Sequence, residues 1–282
     1  MATRDIDTLP HFIDLDAARA TALRELRAFV ALCESLTDAD WARPTPCPGW
    51  SVRDLIEHVA GVPGYDYFAG RLRHARLGTV HENASNASAA QTGLEPAGLT
   101  AVLKQRVAEF AYELDLLTHD DLERQLRVMP GRTQLLRSAL GQYVFEFGLH
   151  RYDLETAIGN AFELAPEVMS GVVLMTETDG FRPSRVDSYV PRLATPGPED
   201  EVSYALIGET LRWEFSFTPG EPKSAFSPTR NGIWTAGAVY ERLCTVSGSD
   251  SAICLVLCGR ISSHDPLVSA AAGFPPRTFT VW

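Results

Sequence analysis

The stretch Gly141–Gly159 reads GQYVFEFGLHRYDLETAIG, and its reading decides the fold. Leu136, Leu140, Tyr143 or Val144, Phe147, Leu154 and Ile158 recur at three- and four-residue spacing, which predicts one long buried helix. Within that apolar run stand Glu146 and, one turn later, His150. Residues i and i+4 share a helix face, so both side chains point to the same place. Val144, Phe145, Phe147 and Leu149 leave little wet surface around them. A carboxylate in such a run needs a cation or a metal to offset its desolvation. Glu146 and His150 therefore read either as two ligands of a catalytic metal or as a hydrogen-bonded pair at a helix seam. On the first reading the third ligand is His58, far away in sequence.

Outward from this helix, the N-terminal part is helical. Ile13 to Leu36 carries a stripe of Leu15, Ala18, Ala22, Leu26, Phe29 or Val30, and Cys33, with charged residues opposite. The connection Thr37 to Trp50, TDADWARPTPCPGW, holds three prolines and is no helix interior. Ser51 starts the second helix; Ser51 and Asp54 have capping-box spacing, with Asp a poorer partner than Glu. His58 shares an inward stripe with Val52, Leu55, Val59 and Val62, and Pro63 breaks or kinks this helix before Tyr67, Phe68 and Leu72. Gly78 to Gly93 is small and polar and reads as a long loop that permits a crossover. Leu99 to Leu117 is the third helix. Thr118 to Thr133 is a polar connection with a Pro130-Gly131 turn, and the fourth helix runs from about Gln134 to Ile158, with Gly159-Asn160 as its stop.

Beyond Asn160 the period changes. A helix is expected around Pro166 to Thr178, then strands through Val202, Tyr204 and Leu206 and through Leu211, Trp213, Phe215 and Phe217. Leu243 to Val246 reads as a strand, Asp250 to Gly259 as helix or strand, and Phe279 to Trp282 as an edge strand. The expected organisation is α+β in two domains, a four-helix bundle over residues 1–160 and a smaller α+β domain over 161–282.

At 282 residues with 45% hydrophobic residues, both domains have material for a core. The formal net charge of −11 argues against nucleic acid and anionic membrane as partners. The start MATRDIDTLP has no basic-then-apolar leader, so a cytoplasmic protein is expected. Five scattered cysteines suggest no disulfide framework and read as buried structural thiols. His11, His74, His81, His119 and His264 lie in polar stretches and read as solvated.

Two imidazoles and a carboxylate are a common ligand set for catalytic zinc; iron, manganese and nickel use the same set. An open position on such a metal can acidify water or a thiol. Asp153, one turn after His150, is placed to hydrogen-bond the second ring nitrogen of that histidine. Taken alone, His58 could equally be a core histidine satisfied by a backbone carbonyl.

The segments WARPTPCPGWSVRDLIEHVAG (Trp41–Gly61) and EFGLHRYDLETAIG (Glu146–Gly159) resemble the mycothiol-dependent maleylpyruvate isomerase family of the DinB-like superfamily. The shared elements are Trp41, Pro48-Gly49-Trp50, His58, Glu146, His150 and Asp153-Leu154, in that order. The resemblance implies an up-down-down-up four-helix bundle and a zinc-type site of His58, Glu146 and His150. The remainder is more loosely similar to the family's sterol-carrier-like α+β domain. Cys258-Gly259-Arg260 looks like that domain's Gly-Arg segment, which makes Arg260 either a binder of an anionic group of thiol or substrate or an ordinary surface arginine. Cys254 to Cys258 is bulkier than the family's alanine-rich run, and the loop His81 to Gln91 is particular to this chain.

The implied activity is that of a divalent-metal-dependent enzyme using a low-molecular-weight thiol, mycothiol, against an electrophilic small molecule. A thiol S-transferase is favoured over a maleylpyruvate cis–trans isomerase, because the second domain departs from the isomerase pattern. The rival is a non-catalytic small-molecule binding module whose bundle metal is structural or lost. A structural metal would need a fourth protein ligand, for which Cys47 is the candidate.

Overall fold

The structure is a computed structural model, and it describes residues 14–61, 93–129, 132–171, 202–217, 229–230 and 243–270. Helix α1 is Leu15–Ser35, α2 is Val52–Gly61, α3 is Pro96–Asp115 and α4 is Leu136–Ala157. The expected kink at Pro63 and the loop Gly78 to Gly93, Gly93 itself excepted, lie outside the described residues.

Helices α1 and α2 begin at side-chain caps. Asp14 accepts from Ala17 N at 2.7 Å to start α1. At α2, Ser51 N and Oγ both donate to Asp54 Oδ2, at 2.8 and 2.6 Å, and Asp54 N returns a bond to Ser51 Oγ at 3.3 Å. Helix α3 starts a turn earlier than its apolar stripe suggested because Pro96 occupies its first turn, where no amide hydrogen is needed. Helix α4 stops on paired 5→2 and 6→1 bonds, from Gly159 N to Thr156 O at 3.0 Å and from Asn160 N to Glu155 O at 2.9 Å.

One core draws on all four helices. Leu26 and Phe29 of α1, Leu55 and Ile56 of α2, Leu103 and Phe110 of α3, and Val144 and Phe147 of α4 are all buried in it. Phe110 meets Phe147 edge to face, with ring centroids 5.4 Å apart. The buried Glu25 of α1 accepts from Arg151 of α4 at 2.9 Å and from Arg24 at 2.8 Å. That bond holds Arg151 on the α1 side of α4, next in sequence to the inward His150.

The polar connection before α4 carries structure that its composition concealed. A 3-10 turn, His119–Glu123, leads into an antiparallel hairpin of β1, Gln125–Met129, and β2, Arg132–Leu135. Helix α4 consequently begins at Leu136, not at Gln134.

Helical backbone at residues 166–171 packs onto α4. A Cβ on Gly148 would overlap the Val168 side chain, and one on Gly171 would lie 2.8 Å from the Gly141 carbonyl oxygen. This close approach keeps the segment with the helices: the chain divides into compact units Met1–Thr178 and Asp179–Trp282, a boundary later than the expected 160/161.

The second unit is built on a five-stranded sheet. Strands β3 (Val202–Ile207) and β4 (Arg212–Phe217) form an antiparallel pair from Val202↔Phe217 to Ile207↔Arg212. With β5 (Thr229–Arg230), β6 (Leu243–Gly248) and β7 (Val268–Ala270) the order is β5-β4-β3-β6-β7, β6 running parallel to β3. Helix α5, Asp250–Leu257, follows β6 and is capped by Ser249, which accepts from Ala252 N at 3.2 Å. Asp250 also accepts from Thr210 N at 2.9 Å and Leu211 N at 3.0 Å, tying α5 to the β3–β4 turn. Phe279 to Trp282 lies outside the described residues.

Candidate metal centre

Helix α4 carries Glu146 and His150 inward, and α2 brings His58 to them. His58 Nε2 is 2.7 Å from Glu146 Oε1, and His150 Nε2 is 3.2 Å from the same oxygen. The three donor atoms lie within 4.8 Å of one another. Glu146 is 6% and His150 1% exposed, whereas the His58 side chain is 32% exposed. The cluster is closed on the α4 side and open at His58.

Burial raises the pKa of Glu146, but the neighbouring His150 charge and the bonds from both imidazoles outweigh it and hold the carboxyl far below the usual carboxylate range. Burial likewise pushes His150 down; the Glu146 charge and bonds to Asp153, Cys47 and Glu146 reverse the effect and hold it well above its ordinary value. Without metal, the pair is a buried ion pair.

Asp153 Oδ2 is 2.9 Å from His150 Nδ1, on the face of the ring opposite Glu146. The same oxygen accepts from Cys47 Sγ at 3.1 Å. Cys47 thus meets His150 from behind, with Asp153, and has no place beside Glu146 as a fourth donor. Trp50 completes the surroundings, its ring centroid 4.9 Å from that of His58 and 6.1 Å from that of His150.

One tight turn delivers both of these residues. Trp50 N donates to Cys47 O at 3.1 Å, and Gly49, at φ 83°, follows Pro48. Pro then Gly at the centre of a four-residue turn is the type II pattern, in which the second position requires positive φ. The motif CPGW is the signal by which Cys47 and Trp50 could have been placed near the site; the sequence alone does not say which residues they touch.

Arg260 belongs to the other unit. It is 7% exposed, and its guanidinium donates to Cys258 O at 3.1 Å. Arg260 N closes the end of α5 on Leu255 O at 2.8 Å, with Gly259 at φ 69° making that bend. Cys254 is a buried thiol whose pKa burial pushes well up, with Cys258 and Asp250 adding to the effect. Cys33 is likewise buried and raised.

The donor set fits a divalent cation. Two imidazole nitrogens and one carboxylate oxygen converge in the first unit, and among the described residues Glu146 pairs with imidazoles alone. Helices presenting such a triad inward define a class, the helical-bundle proteins with a candidate metal centre. Within it, residues 22–155 of this chain match the mycothiol maleylpyruvate isomerase N-terminal domain. Two solved structures are similar over the whole of both chains. One is the mycothiol-dependent maleylpyruvate isomerase, at 17% identity and a TM-score of 0.61. The other is a histidine-to-alanine mutant of that enzyme, at 16% identity and a TM-score of 0.63. At these identities the likeness is one of fold. No curated protein matches the sequence. Among the described residues no helix is long and apolar enough to cross a membrane.

Proposed function

We propose that the chain is a divalent-metal-dependent enzyme that activates a low-molecular-weight thiol, mycothiol, for attack on an electrophilic small molecule. The observation that carries this reading is the convergence of His58, Glu146 and His150 from helices far apart in sequence, with one side open. These three residues hold the cation, zinc by its ligand preferences. When bound, the cation supplies the Lewis acidity that makes a thiol acidic at neutral pH. Asp153 orients His150, and the open side at His58 is where the thiol enters. Arg260 binds an anionic group of thiol or substrate. The family resemblance supports an up-down-down-up order for the helices.

The thiol sulfur bonds to an electrophilic carbon as a C=C π bond, an epoxide C–O bond or a carbon–halogen bond breaks. The S–H proton ends on the adduct's carbon, on the opened alkoxide, or is released to solvent beside the departing halide. If that bond persists, the product is a thioether and the enzyme is a thiol S-transferase, the outcome we favour. If the acceptor is a conjugated cis alkene, addition leaves a single bond that rotates, and loss of the thiol restores the alkene in the trans form. The family match favours this second outcome, maleylpyruvate isomerisation.

The two outcomes separate in one experiment. Zinc-loaded protein is incubated with mycothiol and either maleylpyruvate or a panel of enones, epoxides and alkyl halides, and products are weighed by mass spectrometry. Thioether accumulating in proportion to thiol consumed supports the transferase. The trans isomer formed with thiol undiminished supports the isomerase. No turnover of any acceptor by stoichiometrically loaded protein sinks the enzyme reading and leaves the binding module. Arg260→Met should raise KM for the thiol or an anionic acceptor by roughly 10-fold, the worth of a charge-assisted hydrogen bond, with metal content unchanged.

A further inference from the structure

We infer that Cys47 is a positioning residue for the metal centre, its thiol and the His150 ring sharing one oxygen of Asp153. The inference rests on the metal-centre reading above. A carboxylate accepts and does not donate, so the 2.9 Å bond from His150 Nδ1 to Asp153 Oδ2 fixes a proton on Nδ1. In the neutral ring the lone pair is then on Nε2, the nitrogen facing Glu146 and His58. That ring is only as well aimed as the carboxylate behind it.

Asp153 is 0% and Cys47 5% exposed, so no bulk water competes for Oδ2. The carboxylate is gripped from its own helix by His150 and from 106 residues away by Cys47 Sγ at 3.1 Å. The Cys47 backbone is itself held. Its carbonyl accepts from Trp50 N at 3.1 Å, and the turn is closed by Thr45, whose N and Oγ1 donate to Trp50 O at 2.9 and 3.0 Å. The turn thus places a thiol donor behind His150 and an indole beside His58 and His150. A groove-filling cysteine would need only volume; the geometry assigns this one a donor role, aimed at the oxygen that orients a ligand.

The test is zinc affinity by chelator competition in the full chain, for Cys47→Ala, Cys47→Ser, Asp153→Asn and the double variant Cys47→Ala/Asp153→Asn. Loss of a partner of this kind weakens metal binding by roughly 10-fold or more. Cys47→Ala should show that loss and Cys47→Ser, which keeps a donor, should recover most of it. The double variant should bind no more weakly than Asp153→Asn, because the thiol acts through that carboxylate. Affinity within twofold of wild type in Cys47→Ala, equal losses in the alanine and serine variants, or additive losses in the double variant would each overturn the assignment. A second measurement needs no metal: the His150 Nδ1–H resonance of ¹⁵N-histidine-labelled metal-free protein. It should exchange faster with solvent in Cys47→Ala than in wild type and Cys47→Ser, and identical exchange in all three also overturns it. If wild type binds no cation, the metal-centre reading fails while this resonance still decides whether Cys47 fixes the ring.

Discussion

His58 Nε2 and Glu146 Oε1 stand 2.7 Å apart although 88 residues separate them in the chain. Neither side chain has an independent reason to be there. His58 lies on a helix whose other inward residues are aliphatic, and Glu146 is set among aromatic and aliphatic neighbours. Among the described residues Glu146 has imidazole partners alone, and two imidazole nitrogens with one carboxylate oxygen form a donor set suited to a divalent cation. Protein purified without a histidine tag should therefore contain near-stoichiometric zinc or another divalent metal by elemental mass spectrometry. His58→Ala and Glu146→Ala should each lose it while keeping the helical circular dichroism of wild type. Retention of metal by either variant would remove that residue from the ligand set.

The close contact between α4 and the segment 166–171 yields a stability prediction. Gly148→Ala would drive a methyl group into Val168, whose side chain is buried. Overpacking of this kind costs about 1–3 kcal/mol, read as a lower urea midpoint at unchanged slope. Val168→Ala should relieve most of that loss when combined with Gly148→Ala, despite being destabilising alone. Additive losses would mean that the two residues do not meet.

The long helix and the inward face of α2 were legible because their apolar spacing is regular and their polar exceptions few. Glu146 and His150 announced themselves by contradicting their surroundings. Their meeting with His58 was not readable from periodicity, which fixes a face and says nothing of which helix faces which; only the family resemblance implied it. The β1–β2 hairpin escaped because its strands are short and lie in a polar stretch. Helix α5 could not be separated from a strand because Ser251 to Leu257 is buried throughout, which erases any period. Cys47 was legible as a turn residue, but its partner Asp153 is a tertiary fact.

The cap of α2 makes stability depend on acid. Bonds from the Ser51 side chain and then its backbone hold the Asp54 carboxyl below its ordinary value. A carboxyl whose folded-state pKa is depressed contributes stability that is fully present above its unfolded value, near 3.8. That contribution falls as pH drops through the still lower folded value. Asp54→Asn should therefore show a shallower loss of melting temperature below pH 4 than wild type, and Ser51→Ala should cost about 1 kcal/mol at neutral pH. Equal acid limbs in wild type and Asp54→Asn would show that the cap titrates no differently in the two states.

Gly49 joins fold to site through a single backbone angle. Its φ of 83° lies where an L side chain is strained, and a Cβ built there meets nothing within 4 Å. Substitution should thus act through conformation alone, with no packing contribution. Gly49→Ala should lower stability by roughly 1–2 kcal/mol, the strain of a left-handed residue, or relax the turn to avoid it. Relaxation would move Cys47 off Asp153 and Trp50 off the imidazoles, so metal affinity should fall further than the melting temperature explains. Gly49→Asn, which tolerates this region, should lie between alanine and wild type in both measurements. If Gly49→Ala loses stability yet binds zinc as wild type does, the turn holds its shape under strain. If it loses neither, the positive angle at Gly49 is not required.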